Sequence, residues 1–232
     1  MEKYMKLCVI LLLAGLFPVG MTAGNVSLNG SWDLTFFPQP REAVRTPQDI
    51  LTTEGTTIKA TVPGNVELDL LTAGLIKDPM IGNNVYALRQ YEGYQWCYSK
   101  KFMTPEMSED EYVKLFFGGI DCLADIWLNN QLIGSVDNMF IEHVFDITRF
   151  LKEHGENTLQ IIIRSSVLEA QKFFLGSFSI GNFANEESVY LRRAPHTYGW
   201  DIMPRLVSAG LWRDVELRVI NHTTIEDAHW MT

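Results

Sequence analysis

Short segments in which apolar and polar residues alternate limit the fold class of this chain more than any other feature. LQIIIRS at 159–165 alternates Leu159, Ile161 and Ile163 against Gln160, Ile162 and Arg164, and VELRV at 215–219 alternates three apolar residues against Glu216 and Arg218. A period of two is expected where a β-sheet buries one face. GYQWCYSKKF at 93–102 and EYVKLFF at 111–117 add two segments rich in aromatic and β-branched residues, which favour strands.

The segment ADIWLNNQLIGSV at 124–136 predicts a β-hairpin. It is apolar on both sides of Asn129 and Asn130. Asparagine tolerates the positive φ that a tight two-residue turn requires. We therefore expect two antiparallel strands that meet at these asparagines.

Helical patterns are scarce. NVELDLLTAG has Asn65 as a candidate N-cap and Gly74 as a stop, and ITRFLKEHGEN has Thr148 and Gly155 in the same roles. With 47% hydrophobic and 20% charged residues, the composition is that of a folded domain. We predict an all-β fold: an antiparallel β-sandwich, specifically a jelly roll of about eight or more strands with one or two short helices.

The N-terminus has the pattern of a secretory signal peptide. Lys3 and Lys6 precede an apolar run at 7–17, and the small residues that follow make Ala23 the expected cleavage point. The run is shorter than the ~20 residues that a bilayer-spanning helix needs. We therefore expect residues 1–23 to be removed, no membrane span, and a secreted or periplasmic protein; an uncleaved anchor is the alternative.

The charge balance argues against nucleic acid as a partner. The formal net charge is −9, and removal of residues 1–23 takes away two lysines and one glutamate, which makes the chain more negative. Nucleic-acid-binding proteins carry basic patches instead. The histidines show no metal-ligand spacing, so neither a metal site nor a cofactor is expected.

Cys97 and Cys122 remain after cleavage, and both fall in segments that we interpret as strands. A disulfide between them is conceivable in an exported protein, but the sequence does not give their geometry. We favour two buried free thiols.

Five motifs, in order along the chain, carry a resemblance to a known family. They are LNGSWDL at 28–34, VPGNVELDLLTAGLIKDP at 62–79, FFGGIDCLADIWLNNQLIGSVDNMFIEHVFDIT at 116–148, GENTLQI at 155–161 and GWDIMPRLVSAGLWRDVEL at 199–217. Together they resemble the N-terminal sugar-binding domain of family 2 glycoside hydrolases. Among these enzymes, the second motif, DNMF and GWD…PR are most similar to β-mannosidases.

This resemblance implies a galactose-binding-domain-like jelly roll over 24–222 and the opening of an immunoglobulin-like domain over 223–232. In the family, that domain is followed by a (β/α)₈ barrel that holds two catalytic glutamates. The 232-residue sequence resembles the part before the barrel. We therefore expect no catalytic residue here, and the adjacent acids at 108–111, 186–187 and 226–227 are interpreted as solvated surface.

The resemblance also implies a sugar-binding site. Trp200 and Asp201 match a pair on a jelly-roll loop that contacts the sugar in β-mannosidases, and Arg205 is expected to fix Asp201 or the loop. The alternative is that Trp200 packs inward and Asp201 caps a turn. The family pattern usually has Trp-Gly after the Asp, whereas Ile202 and Met203 follow here, so sugar preference can differ from mannose.

Several other residues are assigned structural roles. We expect Trp32, Trp96 and Trp127 in the core, and Trp212 at the start of the last strand. Asp121 is expected to satisfy a turn amide. The segment DNMF at 137–140 should form a turn, and 168–190 should be a long excursion between strands.

Two hypotheses of function follow. The first is an accessory, substrate-pocket domain of a secreted exo-acting β-glycosidase that hydrolyses O-glycosidic bonds in oligosaccharides; such a domain is inactive without its barrel. The alternative is a free-standing secreted carbohydrate-binding module. An apolar docking surface would favour the first, and an aromatic platform on one sheet face would favour the second.

Overall fold

The computed structural model describes residues 24–173, 186–221, 223, 229 and 230, and it is built mainly from β-strands. The strands are β1 (Asn25–Ser27), β2 (Gly30–Pro38), β3 (Thr56–Val62), β4 (Tyr94–Met103), β5 (Glu111–Phe117), β6 (Ala124–Leu128), β7 (Gln131–Val136), β8 (His143–Asp146), β9 (Glu156–Ile163) and β10 (Val215–Asn221). All of their pairings are antiparallel. The prediction of an all-β fold is confirmed.

The strands form two sheets. One has the order β1-β10-β5-β8, and the other has the order β3-β2-β4-β9-β6-β7. Apolar side chains of both sheets belong to one buried cluster, for example Leu34 and Ile126 from the six-stranded sheet with Leu115 and Leu217 from the four-stranded sheet. The main core therefore lies between the sheets, as in a sandwich.

Both alternating segments are strands with the expected inward faces. In β9, Leu159, Ile161 and Ile163 enter the main core, and in β10 Val215 and Leu217 do the same. This agreement follows from the period of two, which puts every second side chain on the core face.

The six-stranded sheet also carries a small apolar cluster on its other face. Phe37, Cys97 and Ile162 pack there with Ile50 of helix α1 (Pro47–Thr52). This cluster explains why Ile162 is apolar at a position that alternation makes polar. Trp127 lies at its margin and is only partly buried, so it is not the deep core residue that we expected.

The predicted turn and one predicted helix are confirmed. Asn129 and Asn130 have φ of 51° and 64° between β6 and β7. Helix α2 (Val66–Thr72) begins after Asn65, whose side chain accepts a hydrogen bond from the Leu68 amide at 3.0 Å, and it stops before Gly74 with φ of 71°.

The second predicted helix is wrong. Only a 3₁₀ turn at Thr148–Phe150 forms there. The Thr148 hydroxyl accepts a hydrogen bond from the Val113 amide of β5 at 2.9 Å, and Asp146 accepts one from the Thr148 amide at 3.0 Å. These contacts tie the segment to the sheet edge, and Leu151 is already extended.

The described part of the chain has more short helices than the one or two predicted. Besides α2, it contains α1, α3 (Ser166–Ala170) and further 3₁₀ segments at Asn84–Tyr91, Glu186–Val189 and Pro195–Tyr198. Helix α3 begins the predicted excursion at 168–190, of which 174–185 lie outside the described residues. No helix in the described ranges is long and apolar enough to cross a membrane.

Cys97 and Cys122 are free and buried, as favoured. Burial raises the pKa of each thiol to about 12. Cys97 is in β4, but Cys122 lies in a bend before β6 and not in a strand as expected. The expected leader at 1–23 and the acids Glu226 and Asp227 lie outside the described residues.

Candidate functional site

The candidate sugar-contacting residues lie at the tip of a short loop. The amide of Trp200 donates to the Met203 carbonyl at 3.0 Å, and the Met203 amide donates to the Trp200 carbonyl at 3.2 Å. Asp201 and Ile202 are therefore held between two mutual backbone hydrogen bonds. Gly199, with φ of 107°, turns the chain into this tip, a conformation that favours glycine.

The tip faces solvent. The Trp200 side chain is 70% exposed, and the Asp201 carboxylate is also exposed. Trp200 therefore does not pack inward. Ile202 is 89% exposed and Met203 46% exposed, so the tip presents three apolar side chains around one carboxylate.

Arg205 lies at the base of the loop and is largely buried, with 10% of its side chain exposed. Its Nε and Nη2 atoms donate to the Glu92 carboxylate at 2.8–3.1 Å. Its Nη2 atom also donates to Glu187 at 3.2 Å. Of the two roles expected for Arg205, these contacts fit fixing the loop, because its carboxylate partners among the described residues are Glu92 and Glu187 and not Asp201. The hydrogen bonds that Arg205 donates to Glu92 and Glu187 raise the pKa of Arg205 despite its burial.

Glu187 therefore does not belong to the solvated surface, contrary to the prediction for 186–187. Its neighbour Glu186 accepts a hydrogen bond from the Tyr190 hydroxyl at 3.1 Å. Of the segment 108–111, the residues at 108–110 are exposed as predicted, whereas Glu111 is partly buried at the start of β5 and accepts a hydrogen bond from the Ser108 amide at 2.8 Å.

Tyr198 is buried and packs against two arginines. The guanidinium of Arg205 lies 5.5 Å from the centre of its ring, and that of Arg193 lies 5.0 Å from it. Tyr198 is only 1% exposed. A cation over an aromatic ring is attracted by the negative face of the ring, and burial strengthens this attraction.

Arg193 joins the base of the loop to the core. Its Nε and Nη2 atoms donate to the two carboxylate oxygens of Asp121 at 3.0 and 2.8 Å. It also donates to the Ser166 hydroxyl at 2.9 Å and to the Ser208 carbonyl at 2.9 Å. The expectation that Asp121 satisfies a turn amide is therefore wrong, because its carboxylate is bound by a buried guanidinium.

Two further acids are buried near this pair, and no motif or periodic pattern pointed to them. Glu67 accepts a hydrogen bond from the Ser208 hydroxyl at 2.7 Å, and burial raises its pKa. Asp69 accepts one from the Thr61 amide at 2.9 Å, and burial raises its pKa to about 6. Both acids are below 9% exposed, so they are not placed to meet a substrate.

The other aromatic and turn residues have structural surroundings. Trp32 is 1% exposed and donates to the Leu28 carbonyl at 2.8 Å. Trp96 is buried in the core as predicted, while Trp212 is partly buried and precedes β10, which begins at Val215. The DNMF segment turns as predicted, and Asn138 accepts from the Phe140 amide at 3.0 Å.

Chemically, the tip can bind a polyol. An exposed indole offers a flat apolar face to C–H groups, and an exposed carboxylate accepts strong hydrogen bonds from hydroxyls. Within the described ranges, no three His, Cys, Asp or Glu side chains are grouped so that they could hold a metal ion.

Comparison with known proteins identifies relatives of this chain. The family described as glycosyl hydrolase 2 galactose-binding domain-like matches residues 45–213. The chain is 34% identical over 224 residues to β-mannosidase of Mus musculus. This aligned region covers 91% of this chain and 24% of that protein. It is 35% identical over 162 residues to β-mannosidase B of Emericella nidulans, covering 68% of this chain and 19% of that protein.

Solved structures show the same fold. The chain superposes on β-D-mannosidase from Dictyoglomus thermophilum with a TM-score of 0.73 and 31% identity, covering 85% of this chain and 23% of that enzyme. An exo-chitosanase from Amycolatopsis orientalis has a TM-score of 0.55 at 19% identity, and this likeness concerns the fold alone.

The matched relatives are thus about four to five times longer than the region that they share with this chain. The residues that the family covers include five of the six strands of the larger sheet, β5 and β8 of the smaller sheet, and the loop that carries Trp200 and Asp201. The chain belongs to the galactose-binding-like N-terminal domains of glycoside hydrolase family 2.

Proposed function

We propose that this domain forms part of the substrate pocket of an exo-acting β-glycosidase of the β-mannosidase type, which hydrolyses O-glycosidic bonds in oligosaccharides. The observation that carries the proposal is the exposed pair Trp200 and Asp201 on a loop whose base is fixed. The β-mannosidases of mouse and Emericella nidulans support it as relatives.

In this proposal, Trp200 and Asp201 contact the sugar, and Arg205 contributes to the site by fixing the loop that carries them. The indole packs against sugar C–H groups, and the Asp201 carboxylate accepts hydrogen bonds from two neighbouring hydroxyls. Since the spacing of two hydroxyls depends on the sugar, such an acceptor discriminates between sugars by geometry.

The bond-breaking groups are supplied by a downstream barrel. A retaining glycosidase needs an acid/base and a nucleophile about 5–5.5 Å apart on either side of the scissile bond. The domain contributes shape and hydroxyl recognition, and no cofactor is required for this chemistry.

Ile202 and Met203 adjust the specificity. They are exposed beside Trp200, where β-mannosidases usually carry Trp-Gly. A larger, flexible apolar surface changes the contact with the sugar face, so glucosamine, galactose and glucuronate derivatives are tested beside mannosides.

The test begins with the genomic DNA downstream of the Thr232 codon. A frame that encodes a sandwich and a barrel with two glutamates is expected, and the complete protein is then assayed on 4-nitrophenyl β-glycosides of the four sugars. D201A and W200A should lower kcat/KM on the preferred substrate, whereas D110A, an exposed Asp elsewhere, should not.

Other outcomes decide against the proposal. Unchanged kinetics in D201A and W200A remove the loop from the sugar site. A frame that ends at Thr232 overturns the enzyme proposal, and titration calorimetry of the chain with monosaccharides and oligosaccharides then tests the alternative of a free-standing carbohydrate-binding module.

We also propose export of the protein by the leader at 1–23. The motif at its end supports cleavage after Ala23. Expression in a bacterial host with the native leader, followed by N-terminal mass spectrometry of the exported fraction, should give Gly24 as the first residue. Retention of residues 1–23 in a membrane fraction would indicate an anchor instead.

A further inference from the structure

The donors of the Arg205 guanidinium are directed into the protein. Nε and Nη2 are bound by Glu92, and Nη2 and Nη1 reach Glu187 at 3.2 and 3.4 Å. Nη1 also lies 3.4 Å from the Tyr198 carbonyl oxygen. A guanidinium engaged in this way on two carboxylates has little capacity left for a sugar hydroxyl.

The principal partner of Arg205 is itself fixed to the six-stranded sheet. Glu92 lies two residues before β4, and its carbonyl accepts a hydrogen bond from the Ser165 hydroxyl at 2.5 Å. The neighbouring Gly93 carbonyl accepts one from the Gln39 amide at 2.8 Å. Arg205 therefore connects the loop to the segment that leads into β4, a strand with β2 and β9 as partners on its two sides.

Arg205 also closes the loop on itself. Tyr198 and Arg205 flank the tip, and the guanidinium stacks on the Tyr198 ring at 5.5 Å. Just outside this contact, the Leu206 amide donates to the Thr197 carbonyl at 2.8 Å. Both arms of the loop are thus joined at their base, so a shift of Arg205 would move Trp200 and Asp201 together.

We propose that Arg205 is a positioning residue, which sets the place of Trp200 and Asp201 through its contacts with Glu92, Glu187 and Tyr198 and does not itself touch the sugar. The expected effect of Arg205 on sugar binding rests on the proposed function. The structural claim that Arg205 holds the loop in place is tested separately.

The first experiment measures hydrogen–deuterium exchange at the amides of Trp200, Met203 and Leu206 in the 232-residue protein. R205M and E92Q should accelerate exchange about tenfold, the factor that corresponds to about 1.4 kcal/mol. R205K, which keeps the charge but not the two-pronged geometry, should fall between R205M and wild type.

R213M is the matched control. Arg213 also stacks on an aromatic ring, that of Trp212 at 4.2 Å, but it is exposed and outside the loop. Its removal should leave exchange at the three loop amides unchanged. Equal exchange in R205M and wild type would overturn the inference, and so would the same acceleration in R213M.

The second experiment is a double-mutant comparison in the complete protein. R205M should raise KM about tenfold when Trp200 and Asp201 are present, and less than about twofold when both are alanine, because coupled residues are not additive. A merely stabilising residue would cause the same loss in both backgrounds, and so would a direct sugar ligand. Either result contradicts the inference.

The two proposals fail in different ways. If W200A D201A has wild-type kinetics, the proposed sugar site is wrong, and Arg205 is then judged on exchange alone. Accelerated loop exchange in R205M supports its positioning role in that case, and unchanged exchange rejects it.

Discussion

Arg193 and Asp121 are 72 positions apart in the sequence and form a bidentate ion pair in the interior, with nitrogen–oxygen distances of 3.0 and 2.8 Å. The Arg193 side chain is 0% exposed and that of Asp121 8%. The pair connects the bend before β6 with the segment that leads to the Trp200 loop. The effect of this pair on the free energy of unfolding depends on whether both charges are present.

We expect D121N to destabilise the protein by about 3–5 kcal/mol, because it leaves the buried Arg193 charge without its partner. Urea unfolding followed by circular dichroism measures the change. The control is D33N, since Asp33 and Lys59 form an exposed pair at 2.6 Å whose loss should cost at most about 1 kcal/mol.

If D121N does not fold, the double variant D121N R193M tests whether the unpaired Arg193 charge is the cause. It replaces the guanidinium by an apolar group and should recover part of the lost stability. Similar small losses in D121N and D33N would show that the buried pair has no special weight.

Asp69 makes stability depend on pH. Burial raises the pKa of Asp69 to about 6 from an ordinary value of 3.8. The folded state therefore binds this proton more tightly than the unfolded state, and the contribution of Asp69 to stability falls as pH rises from about 4 to about 6. Above that range it stays at its lower value.

D69N removes this titration. Relative to wild type, the unfolding free energy of D69N should increase from pH 4 to pH 6 and then stay constant. Urea titrations at half-unit pH steps measure this difference. D110N, at an exposed position, serves as the control. A difference that is constant from pH 4 to 7 would contradict this account.

The two asparagines of the β6–β7 turn should respond differently to glycine. Asn129 donates to the Phe150 carbonyl at 2.9 Å and to Asn157 at 2.8 Å, and it accepts from the Thr158 amide at 3.0 Å. N129G should therefore cost about 1–3 kcal/mol.

Asn130 has φ of 64° and is exposed. N130G keeps the turn geometry and should change stability by less than about 1 kcal/mol. Thermal unfolding of both variants tests the contrast, and a larger loss in N130G than in N129G would be inconsistent with these hydrogen bonds.

Substitutions at the loop tip should leave the fold intact. W200A and D201A each remove an exposed side chain, and we expect unfolding free energies within about 0.5 kcal/mol of wild type. W32A, which empties a core position, should cost about 3–5 kcal/mol. A destabilised W200A would mean that losses of sugar binding in this variant reflect the fold.

The thiols should report unfolding. Cys97 and Cys122 are buried, and their pKa values are raised to about 12. Since the thiolate is the reactive form, a disulfide reagent at pH 8 should label neither cysteine in the native protein without residues 1–23, and both in urea. Rapid native labelling of either residue would contradict its burial.

The strands β4 to β7, β9 and β10 were predictable because their signal is local. In β9 and β10, each residue's side of the sheet follows from its place in a period of two, and no distant contact is needed to find it. The short helices were harder. Helix α1 has only six residues, although Thr46 and Pro47 mark its start as N-cap and first-turn residues.

The candidate site divides in the same way. Trp200 and Asp201 were proposed from a contiguous motif. The surroundings of Arg205 were not, because Glu92 is 113 positions away in the sequence. Ion pairs between distant segments leave no periodic pattern in a single sequence, and the partner of Asp121 was missed for the same reason.

The pairing of β1 with β10 determines how this domain responds to tension. The three residues of β1 lie antiparallel to β10, with Asn25 opposite Arg218 near the end of that strand. A pull on residues 24 and 221 therefore acts at the same end of the pair and along its hydrogen bonds, which run perpendicular to antiparallel strands. In an optical trap, these bonds should open one after another at low force. The seven-residue pairing of β10 with β5 then presents the next barrier. We therefore expect β1 to detach first under force while the two sheets stay packed against each other.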